Sequence, residues 1–282
     1  MVVNFSKMHG SGNDFVVIDL VTQAGTLSPD CVRDLADRHT GVGFDQLLTI
    51  EPPTIRTADF FYRIYNADGS ESGQCGNGAR CVAKFIFDKQ LSPKSELVLQ
   101  TRTGELTTQR TGSQTIKVNM GKPQLDPDAI PFLPQPGQQT PYTASFQNGS
   151  QYAFGVANLG NPHAVLLVES THDLNVAGLA AEFRAQTHFE SGVNVGFMAL
   201  NSDTSITLRV SERGAGETLA CGSGACAAVT VGRAMNLLSE TVSVEMPGGA
   251  VTVTWPGPGQ DLWLTGPAVR VFDGKIKIND RS

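Results

Sequence analysis

The chain has 282 residues, 40% of them hydrophobic, and a formal net charge of -6. It is long enough for two domains, each with a sizeable core. The acidic balance excludes a general nucleic-acid binder, which needs a basic surplus to meet phosphates, and no apolar stretch approaches the length of a membrane span.

The opening residues Met1-Val2-Val3-Asn4-Phe5-Ser6-Lys7 lack a charged segment followed by an apolar one. No secretory signal is expected, and the cytoplasm is the expected compartment. Gly12-Asn13 is a turn signal that enters an apolar run reading as a strand. Pro29 to Arg38 reads as a helix capped by Ser28. Cys75-Gly76-Asn77-Gly78 opens a second helix, with Val82, Phe85 and Ile86 on one face. Strands follow at Leu97 to Gln100 and Thr115 to Val118. Gly121 to Gln139, rich in Pro and Gln, reads as an inter-domain linker. A strand after Gly160-Asn161 and a helix from Leu174 to Phe183 come next, then a strand from Ser205 to Val210. Cys221-Gly222-Ser223-Gly224 opens a helix that is small or apolar nearly all round, which implies a helix buried within a sheet. Strands at Thr241 to Glu245 and Val251 to Thr254 precede a tail that could return to either domain.

The two cysteine segments are near copies. Each has a glutamate four residues before the cysteine (Glu71, Glu217) and a Gly-x-Gly-Ala after it. The match extends outward at almost constant spacing. Asn13 and Asn161 are 148 residues apart, as are Gln46 and Asn194, while Asn66 and Glu212, and Cys75 and Cys221, are 146 apart. Two homologous domains follow, each about half the chain.

A thiol just before a helix N-terminus meets unpaired N–H groups and the positive end of the helix dipole, which favour the thiolate. The same N–H groups can stabilise a bound carboxylate. Taken singly, each cysteine could be a small core residue. The matched pair instead suits two acid–base groups acting on opposite faces of one carbon, one as thiolate and the other as thiol. Arg213 offers a planar fork for a carboxylate. The amides of Asn13, Gln46, Asn66, Asn161 and Asn194 can bind a zwitterion without adding charge. His163 lies beside the Asn161 motif, either as a group that tunes a thiol or as a core residue.

Cys31, Cys81 and Cys226 have no repeat partner and read as structural. The odd, sparse set of cysteines is no disulfide framework, and neither Cys-x-x-Cys nor His-Glu-x-x-His occurs, so no metal site is expected. There is no Walker loop, dinucleotide fingerprint or evident pyridoxal lysine, and no cofactor is expected.

These segments together resemble diaminopimelate epimerase: His9 to Phe15, Asn66 to Ser70 running into Cys75 to Cys81, Gly160 to His163, Val193-Asn194, and Glu212-Arg213-Gly214 running into Ala220 to Gly224. The resemblance spans the chain almost end to end. It implies an α/β fold of the α+β type: two pseudo-symmetric domains, each a mostly antiparallel β-barrel around a central helix, with the active site in the cleft between them. It places the N-terminal domain at 1–120 and the C-terminal domain at 121–266, with the tail 267–282 rejoining the first. It implies pyridoxal-independent interconversion of L,L- and meso-diaminopimelate, on the route to lysine and peptidoglycan precursors, by a homodimer without metal or cofactor. Cys75 and Cys221 are then the acid–base pair, tuned by His163 and Glu212. Gly76, Asn77, Gly222 and Ser223 hold the reacting end through backbone N–H groups. Asn13, Gln46, Asn66, Asn161, Asn194, Glu212 and Arg213 bind the rest of the substrate. Two other readings stay open on the residues alone: a related racemase acting on a cyclic imino acid, and a thiol-based redox sensor.

Overall fold

The computed structural model describes residues 2–73, 75–134, 137 and 140–278. Gln74 of the first cysteine motif, four glutamine and proline positions of the expected linker (Gln135, Pro136, Gln138, Gln139) and the last four residues of the expected tail lie outside them. The chain forms two compact units, Met1–Asn119 with Thr265–Ser282, and Met120–Leu264.

The first unit contains β1 (Val2–Gly10), β2 (Asn13–Asp19), α1 (Pro29–Ala36), β3 (Gln46–Glu51), β4 (Phe60–Asn66), α2 (Gly76–Asp88), β5 (Glu96–Thr101), β6 (Gly104–Arg110) and β7 (Thr115–Asn119). The strands pair in the order β1-β2-β3-β4-β5-β6-β7; β2–β3 and β4–β5 are parallel, the rest antiparallel. Ser28 caps α1 through its side chain, as expected.

The second unit contains β8 (Tyr142–Ser145), β9 (Gln151–Asn158), β10 (Pro162–Leu167), α3 (Val176–Gln186), β11 (Asn194–Ser202), β12 (Ser205–Glu212), α4 (Gly222–Ala234), β13 (Thr241–Met246) and β14 (Gly249–Thr254). Pairing runs β8-β9-β10-β11-β12-β13-β14, and here β10–β11 and β12–β13 are the parallel steps. The final strand, β15 (Val269–Lys277), belongs to the first unit, where it lies antiparallel to β1. It holds the place beside β1 that β8 holds beside β9.

The two units thus share one strand order, with the parallel steps at matched places. Each wraps its sheet around a 13-residue helix. In α2, every residue from Asn77 to Phe87 is buried, against strands that include β1, β2, β3, β6, β7 and β15. In α4, Gly224 to Gly232 are buried against β9, β10, β11, β12 and β14. Close wrapping needs small residues. A Cβ on Gly155 of β9 would sit 2.7 Å from the Val231 side chain of α4.

The sequence pattern puts one apolar face on α2, but the fold also buries its polar residues. Arg80 is fully buried and donates through Nε to the Pro267 carbonyl at 3.2 Å, and Lys84 pairs with Asp88 at 2.6 Å. Periodicity does not anticipate this, because the partners are a distant carbonyl and an i+4 carboxylate.

The expected linker also differs. Ile130 and Phe132 within it are buried in the second unit's core, where Phe132 stacks on Phe189 at 4.7 Å. The Pro and Gln content hid two anchoring apolar side chains. Among the described residues, no helix is long and apolar enough to cross a membrane.

Phe183 on α3 is fully buried and meets Phe154 edge-on at 5.0 Å. Phe183→Ala should lower stability by about 3–5 kcal/mol, read as a fall in the urea midpoint at unchanged m-value.

Candidate active site

Each wrapped helix begins at a motif cysteine. Cys75 is the N-cap of α2 (φ -146°, ψ 113°) and Cys221 the N-cap of α4 (φ -123°, ψ 108°). Extended cap geometry followed by helix is the change of direction that the Gly-rich segments permit. The second glycine of each motif also leaves room for its neighbours. A Cβ on Gly224 would lie 3.3 Å from Cys221 Sγ and 3.0 Å from Val210, and one on Gly78 would press Leu48 at 3.3 Å.

The two thiols have unlike surroundings. Cys75 is half-buried, and the Gly78 N–H donates to its sulfur at 3.4 Å. A hydrogen bond to sulfur at a helix N-terminus favours negative charge there. Its carbonyl accepts from the Tyr62 hydroxyl at 3.3 Å. Cys221 is buried, at 4% exposure. Burial pushes its thiol well above the usual range and the negative charge of Glu212 pushes it further, against the opposing hydrogen bonds of Ser223 and Gly224. Both causes favour the protonated form of Cys221.

Around Cys221 the second unit gathers several of the expected residues. His163 Nε2 lies 3.0 Å from Asn161 Oδ1 and 3.1 Å from Ser223 Oγ, and that hydroxyl lies 3.6 Å from Cys221 Sγ. Burial lowers the His163 pKa to about 3, assisted by the positive charge of Arg213. His163 is thus a neutral ring in a hydrogen-bonded chain. Glu212 accepts from the Thr218 hydroxyl at 2.6 Å.

The amides are placed by strand register. In the first unit Phe15 faces Gln46 and Gln46 faces Asn66. In the second, His163 faces Asn194, and the step from Val195 to Ser211 puts Asn194 beside Glu212. These are the positions matched by sequence spacing. Gln46 Nε2 donates to Asn66 Oδ1 at 3.0 Å, and Asn66 donates to Ser70 at 3.0 Å. Asn13 donates to Asp45 at 2.8 Å. Asn194 is engaged at both ends: it donates to the Pro162 carbonyl at 3.1 Å and accepts from the Arg213 N–H at 2.9 Å. It serves the site first as a brace for Arg213, whose exposed side chain donates to the Ser191 carbonyl. Gly76, Asn77, Gly222 and Ser223 form the first turns of the two helices.

Within the first unit, Asn13, Gln46, Asn66, Cys75, Gly76 and Asn77 fall on connected elements. Within the second, Asn161, His163, Asn194, Glu212, Arg213, Cys221, Gly222 and Ser223 do so. The structure adds a residue that motif reading missed. Arg184 on α3 donates to the Val193 carbonyl at 3.0 Å, and to the Ser211 carbonyl at 2.7 Å and hydroxyl at 3.1 Å. It clips together the residues just before Asn194 and Glu212. No sequence signal marks it, because its partners are two backbone carbonyls and one hydroxyl, 9 and 27 residues away.

Matched cysteine-capped helices inside two like-wound sheets define a cofactor-independent epimerase or isomerase. The family model for diaminopimelate epimerase matches residues 5–125 and 155–271, and the chain belongs to that family. Solved structures share the fold at low identity. A hydroxyproline epimerase from Agrobacterium vitis, solved with trans-4-hydroxy-L-proline, is 14% identical with a TM-score of 0.71; the match covers 99% of this chain and 94% of that one. A probable proline racemase from Agrobacterium radiobacter is 13% identical with a TM-score of 0.69, over 99% and 94%. A Bacillus anthracis phenazine biosynthesis protein of the PhzF family is 16% identical with a TM-score of 0.66, over 99% and 100%.

Because the Glu212 charge raises the Cys221 pKa, Glu212→Gln should lower it. Alkylation of Cys221 by iodoacetamide, followed by mass spectrometry against pH, should begin at a lower pH in the variant. His163, held near pKa 3, should show no titration of its imidazole proton resonances between pH 8 and 5.

Proposed function

We propose that this chain interconverts L,L- and meso-diaminopimelate by a two-thiol acid–base reaction without a cofactor, in the synthesis of lysine and peptidoglycan precursors. The observation that carries this reading is the pair of cysteine helix caps with unlike surroundings: Cys75 half-buried under an N–H donor, Cys221 buried beside Glu212.

In the L,L-to-meso direction, the Cys75 thiolate takes the α-proton. The electrons of the broken C–H bond pass to the α-carbon and its carboxylate. The Cys221 thiol then delivers its proton to the opposite face. Cys75 ends as a thiol and Cys221 as a thiolate, and proton exchange with solvent resets both; the reverse reaction starts from the exchanged state. The developing carboxylate charge is met by the N–H groups of Gly76, Asn77, Gly222 and Ser223 at the two helix starts. Neutral His163, through Ser223, orients hydrogen bonding toward Cys221 without adding a cation. Arg213, braced by Asn194, holds a substrate carboxylate. Glu212 and the amides of Asn13, Gln46, Asn66, Asn161 and Asn194 bind the remaining polar groups. Binding energy from the non-reacting amino-acid end supports the reacting end, where removing a proton beside a carboxylate is costly. A cytoplasmic homodimer acting on this small molecule completes the reading.

The test is stereochemical inversion in deuterated water. Wild type should interconvert the two isomers with deuterium entering the α-position. Cys75→Ala and Cys221→Ala should each lower inversion by about 10³-fold or more. Undiminished inversion in either variant would sink the two-thiol mechanism. Turnover of proline-like compounds alone would move the assignment to a cyclic imino acid.

A further inference from the structure

Buried polar side-chain atoms nearly always find a partner, and an orphan is costly. Among the described residues, two such orphans stand at one end of the first unit's sheet. One is the hydroxyl of Ser11, a residue 3% exposed, and the other is the Oε1 atom of Gln46. Neither has a hydrogen-bond partner.

Their placement follows from register. Ser11 lies in the two-residue turn between β1 and β2, which closes on the pair Gly10 and Asn13. From Asn13 the strand passes to Phe15, which faces Gln46, which in turn faces Asn66. The turn also abuts the start of α2, because a Cβ on Gly10 would lie 3.7 Å from the Asn77 carbonyl. Ser11 has φ 54°, a left-handed conformation uncommon for a residue with a side chain. Left-handed strain and an unpaired buried hydroxyl therefore coincide at one residue beside the cysteine-capped helix.

The two orphans are chemically complementary. A hydroxyl can donate, whereas an amide oxygen only accepts. An amino-acid end offers the matching pair, a carboxylate to receive the O–H and an ammonium to donate to Gln46. We propose that Ser11 is a substrate-binding residue whose hydroxyl donates to a carboxylate of the amino-acid end that Gln46 receives. This rests on the function proposed above and adds a contact that the motifs did not identify.

The test separates a substrate contact from a structural one. Ser11→Ala removes an unsatisfied buried hydroxyl, so its melting temperature should equal or exceed that of wild type. The kcat/KM for L,L-diaminopimelate should fall about 10- to 100-fold, mostly through KM, as expected for a hydrogen bond to a charged group. Ser11→Gly also lacks the hydroxyl and tolerates positive φ. It should behave alike and serves if the alanine variant folds poorly. An unchanged kcat/KM, or a lower melting temperature with unchanged KM, would overturn the assignment. A wild type inactive on diaminopimelate would instead refute the proposed substrate. Ser11 would then be judged by the same KM comparison on the panel substrate that wild type turns over, where equal KM values overturn it.

Discussion

The site depends on one constraint: a helix buried on every side, with a cysteine as its first cap. A cysteine is a weak hydrogen-bond acceptor, and Ser, Thr, Asp or Asn would cap either helix better, by about 1 kcal/mol. The fold offsets that loss by enclosing the whole helix. From Asn77 to Phe87 in α2, and from Gly224 to Gly232 in α4, packing against the surrounding strands fixes the axis. With the axis fixed, the first turn's N–H groups and the sulfur are fixed too. A thiol so held loses little further freedom when it meets a substrate.

What differs between the units then sets the chemistry. Asn66 and Glu212 hold matched places, but only the second bears a charge, and that charge acts on Cys221. Phe15 and His163 are matched likewise. The first fills the core with an aromatic ring, while the second places a neutral imidazole 3.1 Å from Ser223. A duplicated scaffold thereby holds two thiols in unlike surroundings. Arg184 and Asn194 show how much of the second site is bracing: their hydrogen bonds run to backbone groups and fix strand ends.

Much of this was legible in the sequence because duplication leaves a second copy to compare. The spacing that aligned Gln46 with Asn194 and Asn66 with Glu212 reappears as strand register. The strands at Leu97, Thr115, Ser205, Thr241 and Val251 showed in their alternation, and the encasement of α4 in its lack of a polar face. Three things escaped for physical reasons. Arg80 and Lys84 broke the apolar pattern of α2, yet both are buried, Arg80 against a carbonyl 187 residues away and Lys84 against Asp88 one turn on. Ile130 and Phe132 anchor a stretch whose composition is that of a loop. Arg184 works mainly through carbonyls, which carry no sequence identity, and through one serine hydroxyl 27 residues away.

The position of β15 carries a consequence for how the chain is made. In the second unit, the strand beside β9 is supplied by β8, just upstream, so everything from Met120 to Leu264 is contiguous. In the first, the strand beside β1 is β15, which follows the whole of the second unit. A ribosome delivers residues in order, and domains generally fold as units as they emerge. Here the earlier-synthesised unit waits for the later one: its sheet lacks an edge, and the α2 flank packed by β15 stays uncovered, until Val269–Lys277 has emerged behind the whole second unit. The unit holding Cys221 is complete first, and the one holding Cys75 closes last.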